Sequence, residues 1–231
     1  MEITGKELKN ILLRHRKWLD GEDGGVCANL SHADLSGADL AGADLSQAVL
    51  SGSDLTEATL VRANLSGVDL SGADLSDADL SRANFYRATL SYANLSGARL
   101  IRANLSGVDF SRANFSSARL SGSNLTRADL TGADLNEADL AGCDLERADL
   151  ALADLTGADL TGANLSYADL SYANLTRANL ARVNLAGVDI SRANLSYANL
   201  AGANLTRADL TLADLNEADL TGATWIDGTK K

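Results

Sequence analysis

The chain has 231 residues, a formal charge of −11, 45% hydrophobic and 4% aromatic residues, two cysteines and no proline. Its apolar stretches are only a few residues long, which excludes a membrane-spanning helix, and the acidic balance disfavours non-specific affinity for nucleic acid. The N-terminus lacks a basic-apolar-small leader pattern, so the chain reads as cytoplasmic.

In chain order, the first predicted element is a helix. Thr4-Gly5-Lys6-Glu7 fits a capping box, in which the threonine hydroxyl and the glutamate carboxylate satisfy each other's orphan amides. Leu8, Ile11, Leu12, His15 and Leu19 follow at helical spacing with Trp18 beside them. Lys6, Lys9, Arg14, Arg16 and Lys17 occupy the other side, and Asp20-Gly21 with Gly24-Gly25 stops the helix. Residues 1–25 are therefore expected to form a helical cap.

From residue 28 a five-residue frame runs to residue 225 without a slip. Of the 40 positions 30, 35, 40 and onward, 35 are Leu; the others are Phe85, Phe110, Phe115, Ile190 and Trp225. Two residues before each stands a small residue, Ala in 33 of the 40 cases, with Asp or Asn usually between them. A strict short period means one structural unit stacked many times. Five helical residues advance about 500°, so an α-helix would spread the leucines over every side. In a strand, positions two apart share a face, which puts each Ala with its Leu. Because five is odd, a turn must follow every repeat if all pairs are to point inward.

The number of sides comes from chemistry that recurs at longer spacing. Asn64, Asn84, Asn104 and Asn124 stand 20 residues apart, as do Asp109, Asp129, Asp149, Asp169, Asp189 and Asp209. Four repeats per turn imply a four-sided coil, and forty repeats imply ten coils, a rod ~50 Å long at strand spacing. Residues 26–225 form this body, and 226–231 a short tail. Trp225 is expected to plug the far end, which looks less covered than the capped one.

These residues resemble the pentapeptide-repeat family over about 200 of the 231 positions. The resemblance implies an all-β fold, a right-handed quadrilateral β-helix, in a protein of bacterial type. It also implies one sharp function: some relatives, of the quinolone-resistance type, mimic DNA and occupy the DNA-binding saddle of type II topoisomerases.

Nothing in the repeat resembles a reaction centre. No phosphate loop, nucleophile elbow or metal-spaced Cys/His set is present, so neither an enzyme nor a cofactor or metal site is expected. His15 belongs to the cap and His32 to an outward turn. Cys143 takes an alanine position, and Cys27 lies too far along the rod to bridge to it. The stripe Asp109, Asp129, Asp149, Asp169, Asp189 and Asp209 is a candidate acidic feature. Arg127, Arg147 and Arg207, two residues before three of its members, are expected to neutralise them.

The better candidate site is a ridge of turn residues, Tyr92, Arg112, Leu152, Tyr172, Arg192 and Leu212, because exposed aromatic, Leu and Arg side chains are interface-like. Val61 and Ile101 form a smaller apolar pair on another side. Charge is banded along the body: residues 26–80 sum to −8, 81–125 to +5, 126–160 to −7, 161–207 to +2 and 208–225 to −4. A uniform DNA mimic would not be interrupted by Arg82, Arg87, Arg99, Arg102, Arg112 and Arg119. The favoured reading is a non-enzymatic scaffold for protein–protein contact with an unidentified partner. A topoisomerase partner is the alternative, and the chain itself is expected to be a monomer or a weak homodimer through an end or edge.

Overall fold

The computed structural model describes residues 3–231; the first two residues of the expected 1–25 cap lie outside the described residues. Helix α1 spans Gly5–Leu19. Thr4 is its N-cap, and the capping box is complete: the Glu7 amide donates to Thr4 Oγ1 at 3.3 Å, and the Thr4 amide donates to the Glu7 carboxylate at 2.9 Å. Ile3, Leu8, Ile11 and Leu12 pack on the leucine core. At Gly25 a Cβ would fall inside the Trp18 backbone, so only glycine lets the chain pass so close to the helix. Among the described residues no helix is long and apolar enough to cross a membrane.

His15 anchors the cap. It is fully buried, its Nδ1 accepts the Ala28 amide at 3.0 Å, and its ring stacks on Trp18 with centroids 5.7 Å apart. Accepting at Nδ1 places the ring proton on Nε2, which is buried with no partner of hydrogen-bonding geometry among the described residues. Burial pushes the imidazole below its ordinary pKa and outweighs the Ser46 carbonyl and the Asp44 carboxylate, which favour the proton.

Beyond the cap, parallel bridges join each outward residue to the one 20 positions later, from Asn29↔Val49 to Asn204↔Thr224. Each pairing segment is so short that one residue carries the bridge. The hydrogen bonds follow a fixed rule: Leu65 N–H donates to the Asn84 carbonyl at 2.7 Å, and Asn84 N–H donates back to Ala63 at 2.9 Å. Between segments the small residue closes a turn, as Ala63 N–H does on the Leu60 carbonyl at 3.0 Å. Four such turns separate bridged residues, so every inward Ala-Leu pair faces one shaft.

That shaft is closed to solvent. Leu45, Leu50 and Leu55 are 0% exposed, and Phe110 meets Phe115 edge-on at 4.9 Å. Polar residues at alanine positions are satisfied locally: Ser123 Oγ donates to the Leu100 carbonyl at 2.6 Å, and the Cys143 thiol donates to Leu120 at 3.1 Å. Burial pushes the Cys143 thiol up to about 12, which makes it unreactive. Both cysteines are free.

At the far end Trp225 is half-buried, and a tail pairing that the residue pattern did not anticipate lies beside it. The tail reverses and pairs antiparallel through Thr224↔Lys230, with Trp225 N–H donating to Thr229 at 2.7 Å. Lys231 Nζ lies 4.9 Å from the Trp225 ring centre. The tail covers only this last segment; Leu210, Leu215 and Leu220 are half-buried, with no coil stacked beyond them among the described residues.

Two outcomes are expected. Leu125→Ala, in mid-shaft, should lower unfolding free energy by about 2–5 kcal/mol in urea titration. The neutral His15 gives the cap its full stability above the ordinary imidazole pKa of 6.5, and that contribution falls as pH drops below it. In a Trp225→Phe background, Trp18 fluorescence should therefore change on acidification below this value, and His15→Leu should remove the change.

Candidate interaction surface

Each turn fixes one side chain outward. From residue 32 to residue 217 its second central residue has φ between 55° and 62° wherever it is not glycine, the positive value that a type II turn requires at that position. Among the described residues 24 non-glycine residues adopt it. Such a conformation costs about 1–2 kcal/mol for a residue with a Cβ, so large residues there carry strain.

The ridge residues sit at this position. Tyr92, Leu152, Tyr172 and Leu212 are 63%, 64%, 53% and 73% exposed. Arg112 and Arg192 lie between them along the column: Arg112 Nη1 donates to Tyr92 Oη at 3.2 Å, and Arg192 lies 5.3 Å from the Tyr172 ring centre. The structure thus brings the six residues into one exposed column. Tyr167 and Tyr197, on neighbouring columns, are as exposed at 62% and 57%, and the residue pattern did not single them out. Their turn position was the available signal. Arg147 stacks over Tyr167 at 5.7 Å.

The outward Asp and Asn residues have a structural task that spacing did not reveal. Their Oδ1 accepts the amide two residues ahead, clamping the next turn: Asp109 accepts from Ser111 at 2.9 Å and Asp169 from Ser171 at 2.8 Å. Asparagine has a second use, because its amide can also donate to the previous coil. Asn64 donates to Asp44 at 3.1 Å, Asn84 to Asn64 at 3.2 Å and Asn104 to Asn84 at 2.7 Å. Aspartate cannot donate, so it starts such ladders; Asp144 below Asn164 repeats the arrangement at 3.0 Å.

The stripe Asp109, Asp129, Asp149, Asp169, Asp189 and Asp209 forms no ladder bonds, although successive members are bridge partners. Like charges directly opposite are unfavourable. The expected neutralisation by arginine does not occur. Arg127 and Arg207 have no carboxylate partner among the described residues, and Arg147 pairs with Glu146 at 3.2 Å. Each carboxylate is turned forward onto the next turn, away from the arginine behind it. Thr211 holds the Asp209 carboxyl below its usual range through its hydroxyl and its amide. Among the described residues, no three His, Cys, Asp or Glu side chains are arranged to hold a metal ion.

Parallel 20-residue register, a turn every five residues and a leucine shaft define the class: a β-solenoid of short repeats. The family description "Pentapeptide repeats" matches residues 28–67, 63–100, 93–132, 128–166, 158–196 and 189–224. The chain belongs to the pentapeptide-repeat family, and its fold is a right-handed β-helix with one N-terminal helix. It is similar to HetL from the cyanobacterium Nostoc sp. strain PCC 7120, a pentapeptide repeat protein involved in heterocyst differentiation regulation. The two are 38% identical over 100% of both chains, with a TM-score of 0.90. Trypsin-treated QnrB1, a plasmid-mediated fluoroquinolone resistance protein, matches 72% of this chain and 84% of its own at 25% identity, with a TM-score of 0.44. Rfr23 from the cyanobacterium Cyanothece 51142 matches 54% and 85% at 32% identity, with a TM-score of 0.27. Comparison with curated proteins gives no match.

Two stability measurements probe this surface. Asn84→Asp removes a ladder donor and sets a carboxylate between neighbouring coils, so it should cost about 1 kcal/mol. Leu152→Gly relieves the positive φ and should be neutral or stabilising by up to about 1 kcal/mol, because the side chain packs on little. A clear loss of stability in the glycine variant would show that the ridge serves the fold rather than a partner.

Proposed function

We propose that this protein is a rigid, non-enzymatic scaffold for protein–protein contact, and that its partner docks on the ridge Tyr92, Arg112, Leu152, Tyr172, Arg192 and Leu212. The observation that carries this reading is the cost of that column. Tyrosine and leucine stand more than half exposed at backbone angles that favour glycine, and glycine would suit the fold better there. Aromatic and arginine anchors are the residue types that carry interface energy. The acidic stripe Asp109–Asp209 leads into the same turns, Asp169 three residues before Tyr172, and would complement a cationic rim on the partner.

The geometry proposed for the scaffold is a four-sided body of ten coils over residues 26–225, between a cap at 1–25 and a tail at 226–231. We place it in a bacterial-type cytoplasm, as a monomer or a weak homodimer through an end or edge. The involvement of HetL in heterocyst differentiation regulation supports a regulatory binding role. The DNA-mimic reading, with a type II topoisomerase as partner, keeps the acidic charge as its support; the arginine-rich band at residues 81–125 stands against it.

One pair of assays separates the two. Pull-down from the native host should enrich a partner, and replacing Tyr92, Leu152, Tyr172 and Leu212 by Ser should reduce its recovery by about tenfold. Unchanged recovery would discard the ridge. Inhibition or protection of gyrase at about micromolar protein would replace the scaffold reading with the DNA-mimic one.

A further inference from the structure

A second surface lies on the flank whose outward residues are Asn64, Asn84, Asn104 and Asn124. Its floor is uncharged, and the amides of Asn64, Asn84 and Asn104 are already engaged along the ladder. Both edges are basic. Arg62, Arg82 and Arg102 occupy successive turns on one edge, and Arg87 and Arg127 stand on the other; all five are exposed. Their φ angles are 60°, 62°, 57°, 55° and 57°. None has a carboxylate within ion-pair distance among the described residues. Along this flank the nearest acids are Asp44 and Asp144, which close its two ends.

The second edge is notched. Tyr86, Arg87, Ser106, Gly107, Thr126 and Arg127 line a cavity of about 360 Å³. Arg87 leans over Gly107, where an added Cβ would sit 3.8 Å from its Cγ, and its guanidinium lies 5.1 Å from the Tyr86 ring centre. Gly107 leaves the floor between the two arginines bare. On the opposite edge, half-buried Val61 and Ile101 adjoin Arg62 and Arg102.

Apart from the contact of Arg87 with the Tyr86 ring, this arrangement has no return inside the molecule. Arginines on successive turns, spaced by ~4.8 Å, repel one another, and each also bears the positive-φ cost. An anion between the edges would reverse the first term, because guanidinium groups pair with carboxylates in bidentate fashion. We propose that this flank binds a short acidic segment of a partner protein, its Asp and Glu side chains held between the two arginine edges.

Length and charge select that occupant over a long polyanion. Asn64 to Asn124 spans three coil steps, ~14 Å, enough for four or five extended residues at ~3.3 Å each. Past both ends the bands at residues 26–80 and 126–160 carry −8 and −7 and would repel a duplex that ran on. The surface is separate from the ridge, so its failure leaves the ridge reading intact.

The test is fluorescence anisotropy of the full chain with a fluorescein-labelled hexapeptide of alternating Asp and Glu, at about 50 mM salt. Saturable binding is expected below about 1 mM. It should weaken at least roughly tenfold when Arg82, Arg102, Arg87 and Arg127 are all replaced by Ser, and remain unchanged in an Arg177→Ser, Arg207→Ser control. Circular dichroism should show the same fold in each variant. Absence of saturable binding, or equal loss in the control, would overturn the proposal. So would tighter binding of a 20-base-pair duplex than of the acidic peptide, which would make the site one for nucleic acid.

Discussion

The hydrogen bond from each small inward residue to the carbonyl of the preceding leucine closes a turn at every fifth position, and the leucine shaft exists because that closure never fails. Ala63 on Leu60 and Ala203 on Leu200 make the same bond at 3.0 and 2.9 Å, more than a hundred residues apart. Were one turn to relax into an extended segment, the next Ala-Leu pair would swing to solvent, since strand side chains alternate. The positive φ at the turn is thus a condition of the core. Glycine meets it freely, and other residues meet it at a cost that many individually small backbone bonds must outweigh.

That constraint also decides what the polar residues do. An outward Asp or Asn clamps the following turn, and Asn in addition ties its coil to the one before. Most of the acidity of the body therefore belongs to the fold, and a row of carboxylates is weak evidence of chemistry. Function is better sought where the repeat grammar is broken at a cost: bulky residues at glycine-favouring angles, carboxylates stacked without a donor from the neighbouring coil, and arginines with no carboxylate partner. The ridge, the stripe Asp109–Asp209 and the arginine-edged Asn flank are three such breaks.

Much of this architecture is legible in the amino-acid sequence itself. The leucine frame implies the shaft, and the 20-residue recurrence of Asn64, Asn84 and Asn104 anticipates their bridges. Thr4 and Glu7 announce the capping box, and the turn position alone places Tyr92 and Leu212 outside. Side-chain direction is not legible. Arg127 and Asp129 share an outward side, yet the Asp129 carboxylate reaches forward to the Thr131 amide at 2.9 Å, a choice set by local backbone angles rather than spacing. The reversal of residues 226–231 is hidden for a similar reason: its antiparallel pairing rests on Gly228 at φ 85° and on backbone bonds, which no apolar pattern reports.

A stacked body with contacts only between neighbouring coils is stiff along its axis and can hold residues far apart in sequence at fixed separations. A ridge and an arginine flank carried on such a body keep their spacing whether or not a partner is bound. The most direct measurement is the electron-spin distance between nitroxide labels at His32→Cys and Leu212→Cys, with Cys27 replaced by Ser and Cys143 by Ala. Nine steps of 20 residues place these positions on one column, ~43 Å apart with a narrow distribution. A distance near ~35 Å, as 25 residues per coil would give, or a broad distribution, would contradict the register on which the core and both surfaces depend.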